Sequence, residues 1–358
     1  MINNNNVSKV LHVVSSLEVG GAERFVIDLC QVQREKGEKV AILTFGSQQD
    51  PLVSECKKND IEVFFVSGSR TKKWQMALKV INKFTIIHFH SPYPLKFLLP
   101  CLPIYFFKKV IYTRHGADPL SGFMWGIVHK IANYFVDHVT FVSQEGADVF
   151  ENSHGWLRKT KHVIDNGVNF SKITIHRETS DCLRLGSVGR MVPLKNQISL
   201  LKAVSYLPSE YKKKVLIHFY GDGPCLAELQ QFVDENDLSE QVVFHGMVSD
   251  RSTIYNSFDV LVVTSETEGL SLAIIEAMAY SCAIIATHVG GNPKLVSHQK
   301  NGYLFEYDDD KALSGYIKTL QNNVALNEQF AQESREKVAQ QFSLDECAKK
   351  YQQLYLTS

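Results

Sequence analysis

The chain of 358 residues has no excess of charge, with 38 Lys and Arg against 38 Asp and Glu. This excludes a global electrostatic pull toward nucleic acid or anionic lipid. It also lacks an uninterrupted apolar run of the ~18 residues that a membrane-spanning helix needs, so no transmembrane segment is expected. Cysteine is sparse and unorganised. Seven residues stand at positions 30, 56, 101, 182, 225, 282 and 347, with no Cys-x-x-Cys. An odd, scattered set excludes a disulfide framework or a clustered thiolate metal site. It points instead to reduced thiols packed as small hydrophobes in a cytosolic protein. The first residues, Met-Ile-Asn-Asn-Asn-Asn, are polar and lack the apolar centre of a secretory signal, which fits a cytoplasmic location. What is present is ordinary globular composition, 44% hydrophobic and 21% charged, in a length that suits two domains.

Strand-like apolar runs alternate with amphipathic helical stretches throughout, the pattern of an α/β protein with parallel sheets. In the first half, strands are predicted near 10–14, 40–45, 62–66, 86–90, 110–113, 139–142 and 162–164. Helical segments lie between them, including 23–35 and 120–135. The pattern restarts at 183–188 and continues at 215–220, 242–245, 260–263 and 283–286. Residues 166–181 are polar, without clear periodicity, and read as a linker. The tail from Lys311 to Leu356 looks helical. Two doubly wound Rossmann-like domains are therefore expected, 1–168 and 169–340, facing each other across a cleft at the carboxyl ends of their sheets. A final helix, 341–358, is expected to pack back on the first domain.

The densest chemistry lies in Thr264-Ser-Glu-Thr-Glu-Gly-Leu-Ser-Leu-Ala-Ile-Ile-Glu-Ala-Met-Ala279. It follows the buried-strand pattern Val260-Leu-Val-Val263, and its second part, Leu270 to Ala279, suits a helix. Glu268 falls at the loop and Glu276 inside the apolar helix, where a carboxylate is costly unless something hydrogen-bonds it. A sugar diol could do so. The backbone N–H groups of Gly269, Leu270 and Ser271 would suit a phosphate. A plainer reading has Glu268 capping the helix and Glu276 paired with a nearby Lys or Arg.

Other motifs follow strand ends in order. Glu18-Val-Gly-Gly-Ala-Glu23 places Gly20 and Gly21 at a turn where backbone can approach a ligand, though it is not the Gly-x-Gly-x-x-Gly of dinucleotide binding. Tyr112-Thr-Arg-His-Gly116 sets His115 at a strand's carboxyl end. Leu185-Gly-Ser-Val-Gly-Arg-Met-Val-Pro-Leu-Lys-Asn196 offers Gly189, Arg190 and Lys195, two cations suited to a departing diphosphate or, more plainly, to solvent. Tyr220-Gly-Asp-Gly-Pro224 contributes Gly221 and Gly223. Phe244-His-Gly-Met-Val248 contributes His245, and Val289-Gly-Gly291 a further turn. His88-x-His90 lacks a third ligand of known spacing and is rejected as a metal site. Asp308-Asp-Asp310 precedes a helical stretch and reads as capping rather than metal binding. No metal ligand set is assigned.

These motifs, in this order and across about residues 8 to 340, resemble the family-4 retaining glycosyltransferases of the GT-B fold, whose signature is Glu-x7-Glu. The resemblance implies a metal-independent hexosyltransferase. It would move a sugar with retention from a nucleotide diphosphate, most often UDP, to a hydroxyl of a glycan or lipid-linked glycan in polysaccharide assembly, without a cofactor. It further implies that Glu268 and His115 meet the donor sugar and that Glu276 meets the ribose. Arg190 and Lys195 would stabilise the leaving group. Gly20 and Gly21 would border the donor phosphate, Gly189, Gly221 and Gly223 would border the nucleotide, and the His245 segment would read the base. Two alternatives stay open: a UDP-sugar epimerase of the same fold, and an inactive scaffold subunit. Donor, acceptor and, through Leu95–Lys109, the inner face of the plasma membrane are the expected partners. That segment is apolar, aromatic and flanked by Lys, as interfacial segments are, and its plainer reading is an ordinary core helix and loop. Gly122-Phe-Met-Trp-Gly126 is a second candidate of the same kind.

Overall fold

The computed structural model describes residues 8–116, 120, 122–151, 161–170, 173–177 and 180–357. The initial Asn run and parts of the 166–181 linker lie outside the described residues. The chain divides into two compact units. One runs to Gly167 and resumes at Leu344, and the other is Val168–Ser343.

The first unit holds a parallel sheet of β1 (Lys9–Val14), β2 (Lys39–Thr44), β3 (Glu62–Phe65), β4 (Ile86–Phe89), β5 (Lys109–Arg114), β6 (His138–Phe141) and β7 (Lys161–Val163). The strand order is β3-β2-β1-β4-β5-β6-β7. The second unit repeats the plan with β8 (Leu183–Val188), β9 (Val215–Tyr220), β10 (Val242–Phe244), β11 (Val260–Val263), β12 (Ala283–Thr287) and β13 (Gly302–Phe305). Its order is β10-β9-β8-β11-β12-β13. In both, the first strand lies centrally and the chain winds outward on either side of it, the doubly wound Rossmann arrangement. All pairings are parallel, as Val10 against Val40 and against Ile86 illustrates. Strands such as β11, buried at every position, form because Val and Ile suit a sheet enclosed on both faces.

Three details depart from the expectations. β13 was not anticipated. The helical tail is three helices, Asp310–Asn322, Val324–Gln341 and Leu344–Leu356. The helix after β11 begins at Leu272, not Leu270. The acidic triplet is occupied within the protein. Asp309 accepts from Ala312 N at 2.9 Å, capping its helix. Asp308 accepts from Asn196 at 2.9 Å, and Asp310 accepts from Ser199.

The segment 95–109 divides between the two readings. Leu95, Leu98, Cys101 and Tyr105 enter the core of the first unit. Phe106 and Phe107 remain 71% and 88% exposed. The last helix belongs to this unit also. Its Tyr351 packs 6.3 Å from the Phe25 ring, and its Tyr355 hydroxyl meets His88 Nδ1 at 2.8 Å.

One close approach fixes the centre of the second sheet. A Cβ on Gly186, in β8, would lie 2.2 Å from the ring of Phe258, the residue that leads into β11. Gly186→Ala is therefore expected to cost about 1–3 kcal/mol by overpacking. Urea unfolding would measure it, and Phe258→Leu in the same chain should recover part of the loss. A fully stable single variant would contradict this packing.

Candidate active site

The candidate residues of the second unit gather where the order of its sheet reverses, at the carboxyl ends of β8 and β11, the place where open α/β sheets bind ligands. The loop after β8 is fastened to the loop after β11. Thr264 Oγ1 donates to Lys195 O at 2.8 Å, and Glu266 N donates to Leu194 O at 2.9 Å. This fastening brings Lys195 Nζ to 2.5 Å from Glu268 Oε1. The same oxygen accepts from Ser265 Oγ at 2.7 Å. Side-chain exposure is 32% for Lys195 and 10% for Glu268, so the pair is partly withdrawn from water. Glu268 Oε2 takes no protein partner among the described residues. A cavity of about 20 Å³, room for roughly one water molecule, is lined by Ser187, Lys195, Thr264, Ser265, Glu268 and Ser271. Arg190 is exposed, and its backbone carbonyl accepts from Gln197 Nε2 and from Val192 N, each at 3.0 Å.

Glycines set how closely these loops stack. A Cβ on Gly290, whose φ is +49°, would lie 1.8 Å from Glu268 O. A Cβ on Gly221, at φ +136°, would lie 2.0 Å from Gly189 O. So Gly221, like Gly223 against Met191 O, serves backbone packing of the β8 loop in this structure. At Gly189 a Cβ would meet only Lys195, at 3.9 Å, which leaves that face open to a ligand. The helix Leu272–Ala279 starts without a side-chain cap from Ser271. Its first-turn N–H groups are thus available to an anion, with the positive end of the helix dipole behind them. Gly269 O is occupied by Gly291 N at 3.0 Å.

Glu276 is buried, as expected, but the protein itself satisfies it. Arg251 Nε donates to Oε1 at 2.7 Å, and Tyr255 Oη donates to Oε2 at 2.6 Å. The plainer reading of this carboxylate therefore holds on its protein side. Each oxygen has two acceptor positions, so each retains one. Neither Arg251 nor Tyr255 was singled out from the sequence. The only available signal was the need of a buried carboxylate for a partner. His245 is exposed and not free. Its ring stacks on Tyr220 at 4.3 Å, and its Nε2 meets His218 Nδ1 at 2.9 Å.

In the first unit, Gly20 caps the helix Gly21–Glu35 with extended backbone. His115 directly follows β5 and is half-buried. Its Nε2 lies 3.1 Å from His90 Nδ1, and His90 Nε2 lies 2.9 Å from His12 Nδ1. Three ring nitrogens, one each from His12, His88 and His90, lie within 4.8 Å of one another, so His12 is the third imidazole missing from the sequence pattern. Burial drives the pKa of His12 down to about 4, against the hydrogen bond it donates to Gln33 Oε1, which raises it. Burial and then the Arg114 charge drive that of His115 down to about 3. His88 and His90 are pushed well below the usual range, by burial first and then by neighbouring imidazoles.

Comparison with known proteins agrees with this architecture. The profile of Glycosyltransferase Family 4 matches residues 19–172, and that of Glycosyl transferases group 1 matches residues 172–337. The chain belongs to the family-4 glycosyltransferases of the GT-B fold. The poly(ribitol-phosphate) alpha-N-acetylglucosaminyltransferase of Staphylococcus aureus (strain COL) is 28% identical over 194 residues, covering 54% of this chain but only 39% of that enzyme. The Campylobacter jejuni enzyme named GalNAc-alpha-(1->4)-GalNAc-alpha-(1->3)-diNAcBac-PP-undecaprenol alpha-1,4-N-acetyl-D-galactosaminyltransferase is 23% identical over 343 residues, covering 92% and 93%. Among solved structures, Anabaena Alr3699/HepE in complex with UDP-glucose superposes with a TM-score of 0.81 at 22% identity, covering 96% of this chain and 98% of that one.

The buried imidazoles make the glycosyltransferase sensitive to acid. A neutral folded His with a lowered pKa binds fewer protons than the unfolded chain, where the value is about 6.5. Stability is thus complete above pH ~6.5 and is lost as pH falls toward the folded values, at about 1.4 kcal/mol per pH unit for each such group. For His12, with a folded pKa of about 4, the loss runs from pH ~6.5 down to about 4. Chemical denaturation at pH 7.5 and pH 5.5 should show a clear loss at the lower pH. Equal stability at both would contradict neutral burial.

Proposed function

We propose that this glycosyltransferase moves a sugar from a UDP-sugar to a hydroxyl of a glycan or lipid-linked glycan in polysaccharide assembly, with retention at the anomeric carbon and without a metal. The observation that carries the reading is the joining of Lys195 to Glu268 beside an uncapped helix start at the switch point of the second sheet. The second unit binds the donor and the first binds the acceptor. The relatives support the substrate class. One has been solved with UDP-glucose, and one carries the name of an undecaprenol-linked glycan transferase.

The donor diphosphate docks over Gly189 and the first-turn N–H groups near Leu270 and Ser271. Arg190 and Lys195 supply fixed positive charge as the glycosidic bond breaks, which is the role a divalent cation fills elsewhere. Lys195 is then shared between phosphate and Glu268, whose free Oε2 accepts from the sugar. Glu276 offers its remaining lone pairs to the ribose hydroxyls, with Arg251 and Tyr255 holding its carboxylate. The departing phosphate takes the acceptor proton, and attack occurs on the face it leaves. His115 meets a hydroxyl.

Lys195→Ala should slow sugar transfer by about 100-fold or more, since a preorganised charge on the leaving group is lost. Glu276→Gln should instead weaken UDP itself by about tenfold, the scale of one charge-assisted hydrogen bond. Turnover assays in excess EDTA, with UDP calorimetry, separate the effects. Near-normal turnover by folded Lys195→Ala, equal UDP affinity for Glu276→Gln, or complete loss of activity in EDTA restored by Mn²⁺ would each overturn the corresponding role.

Peripheral attachment to the inner membrane face is part of this reading, and the seven free cysteines accord with a cytoplasmic location. Phe106 and Phe107 are exposed, and the helix Phe123–Ala132 adds exposed Phe123, Met124, Ile127 and Ile131. The two segments touch, with Lys96 Nζ 5.0 Å from the centre of the Trp125 ring, and Phe106 lies 4.9 Å from Phe135 just beyond the helix. Exposed Lys96 and Lys130 can remain at lipid headgroups while the aromatic side chains insert. Wild type should co-sediment with anionic phosphatidylglycerol vesicles, and Phe106→Ser/Phe107→Ser should not. Absence of wild-type pelleting, or equal pelleting of both, would refute the attachment.

A further inference from the structure

Four imidazoles in the first unit form a connected hydrogen-bonded array whose end is His115. His12 Nε2 lies 2.8 Å from Gln33 Oε1. His12 Nδ1 lies 2.9 Å from His90 Nε2, and His90 Nδ1 lies 3.1 Å from His115 Nε2. The Gln33 amide also donates to Tyr355 Oη at 3.3 Å. Tyr355 Oη meets His88 Nδ1 at 2.8 Å, and His88 Nε2 meets Thr113 Oγ1 at 2.6 Å. The six ring nitrogens of His12, His88 and His90 are therefore all engaged. A zinc ion would need three of them turned to a common centre at about 2.0–2.1 Å, which breaks these bonds. The cluster is a relay and not a vacant ligand set.

In a chain of neutral imidazoles each ring donates through one nitrogen and accepts through the other, so one proton position fixes all the rest. With Gln33 Oε1 accepting from His12 Nε2–H, His12 Nδ1 must accept from His90 Nε2–H. His90 Nδ1 must in turn accept from His115 Nε2–H. His115 Nδ1 is left as a bare lone pair. It is shielded from solvent and has no partner among the described residues. The reverse direction is the only other consistent one, and it would end in a buried Nδ1–H donor with nothing to receive it. Orphaned N–H donors are rarer and costlier than an unused acceptor.

We propose that Gln33, His12 and His90 are positioning residues that lock His115 as its Nε2–H tautomer, so that its free nitrogen acts only as a hydrogen-bond acceptor for a hydroxyl of the substrate. The hydroxyl supplies the partner that Nδ1 lacks. In this tautomer His115 cannot protonate the leaving group. The lowered pKa values keep the array neutral at physiological pH, in agreement with the geometry. The role of His115 rests on the function proposed above, whereas the relay itself does not.

Long-range ¹H–¹⁵N correlation on the full-length, ¹⁵N-histidine-labelled protein at neutral pH tests the relay without a variant. His115→Asn identifies the ring. The expected result is a pyrrole-type Nε2 and a pyridine-type Nδ1 for His115. A protonated Nδ1, or displacement of the His12, His88 and His90 resonances by added Zn²⁺ at low concentration, would overturn the proposal. Gln33→Met keeps the side-chain length and removes the anchor. It should blur the His115 tautomer and lower kcat for sugar transfer by about tenfold, the scale of one lost hydrogen bond. KM for the donor and the affinity for UDP should stay unchanged. Gln33→Glu in its neutral form restores acceptor and donor together and should restore both tautomer and kcat. If the tautomer shifts in Gln33→Met while transfer is unaffected, the assigned task of His115 is wrong even though the function may stand.

Discussion

The arrangement of the second unit depends on backbone meeting backbone at the carboxyl edge of its sheet. Four loops, after β8, β9, β11 and β12, stack so closely that carbonyl oxygens occupy the space where side chains would otherwise be. Thr264 then ties the β8 loop to the β11 loop through Lys195 O. Lys195 and Glu268 come from loops 73 positions apart in sequence, yet they need little conformational search to meet. Preorganisation of this kind is what makes a charged pair useful to catalysis, because its ordering cost is met in folding and not at the moment of reaction.

The fold was largely legible because parallel strands enclosed on both faces are continuous apolar runs, and twelve such runs stand out between helical patterns. β13 escaped notice because Gly302-Tyr-Leu-Phe305 is short and begins with glycine after a polar turn. The helix after β11 starts two residues later than its apolar pattern suggested, since Ser271 adopts extended backbone. The positions of the candidate site residues could be placed at strand ends, but their partners could not. Arg251 and Tyr255 come from the helix Arg251–Asn256, which has no spacing relation to Glu276. His12 and His88 sit at matched register on neighbouring strands, a relation that only strand order reveals.

The two glutamates also show how one residue type divides into different states. Glu268 is bound on one oxygen and open on the other. Glu276 is bound on both and keeps only spare lone pairs. In the proposed mechanism the first changes partners during the reaction, and the second holds one geometry throughout. Burying either without its donors would be costly. The sequence signature therefore marks two positions whose charged partners, Lys195 and Arg251, lie elsewhere in the chain.

The path of the chain has a consequence for biosynthesis. The first unit leaves off at Gly167 and is completed only by Leu344 onward, whose Tyr351 and Tyr355 enter its interior. Domains emerging from the ribosome tend to fold in order of synthesis, at about 5–20 residues per second. Here the earlier unit must wait for the entire later one. For a span of about ten seconds or more at that rate, its nascent core lacks two aromatic side chains, and His88 lacks the Tyr355 hydroxyl. The later unit, continuous in sequence, is free to finish first, so assembly order runs against translation order.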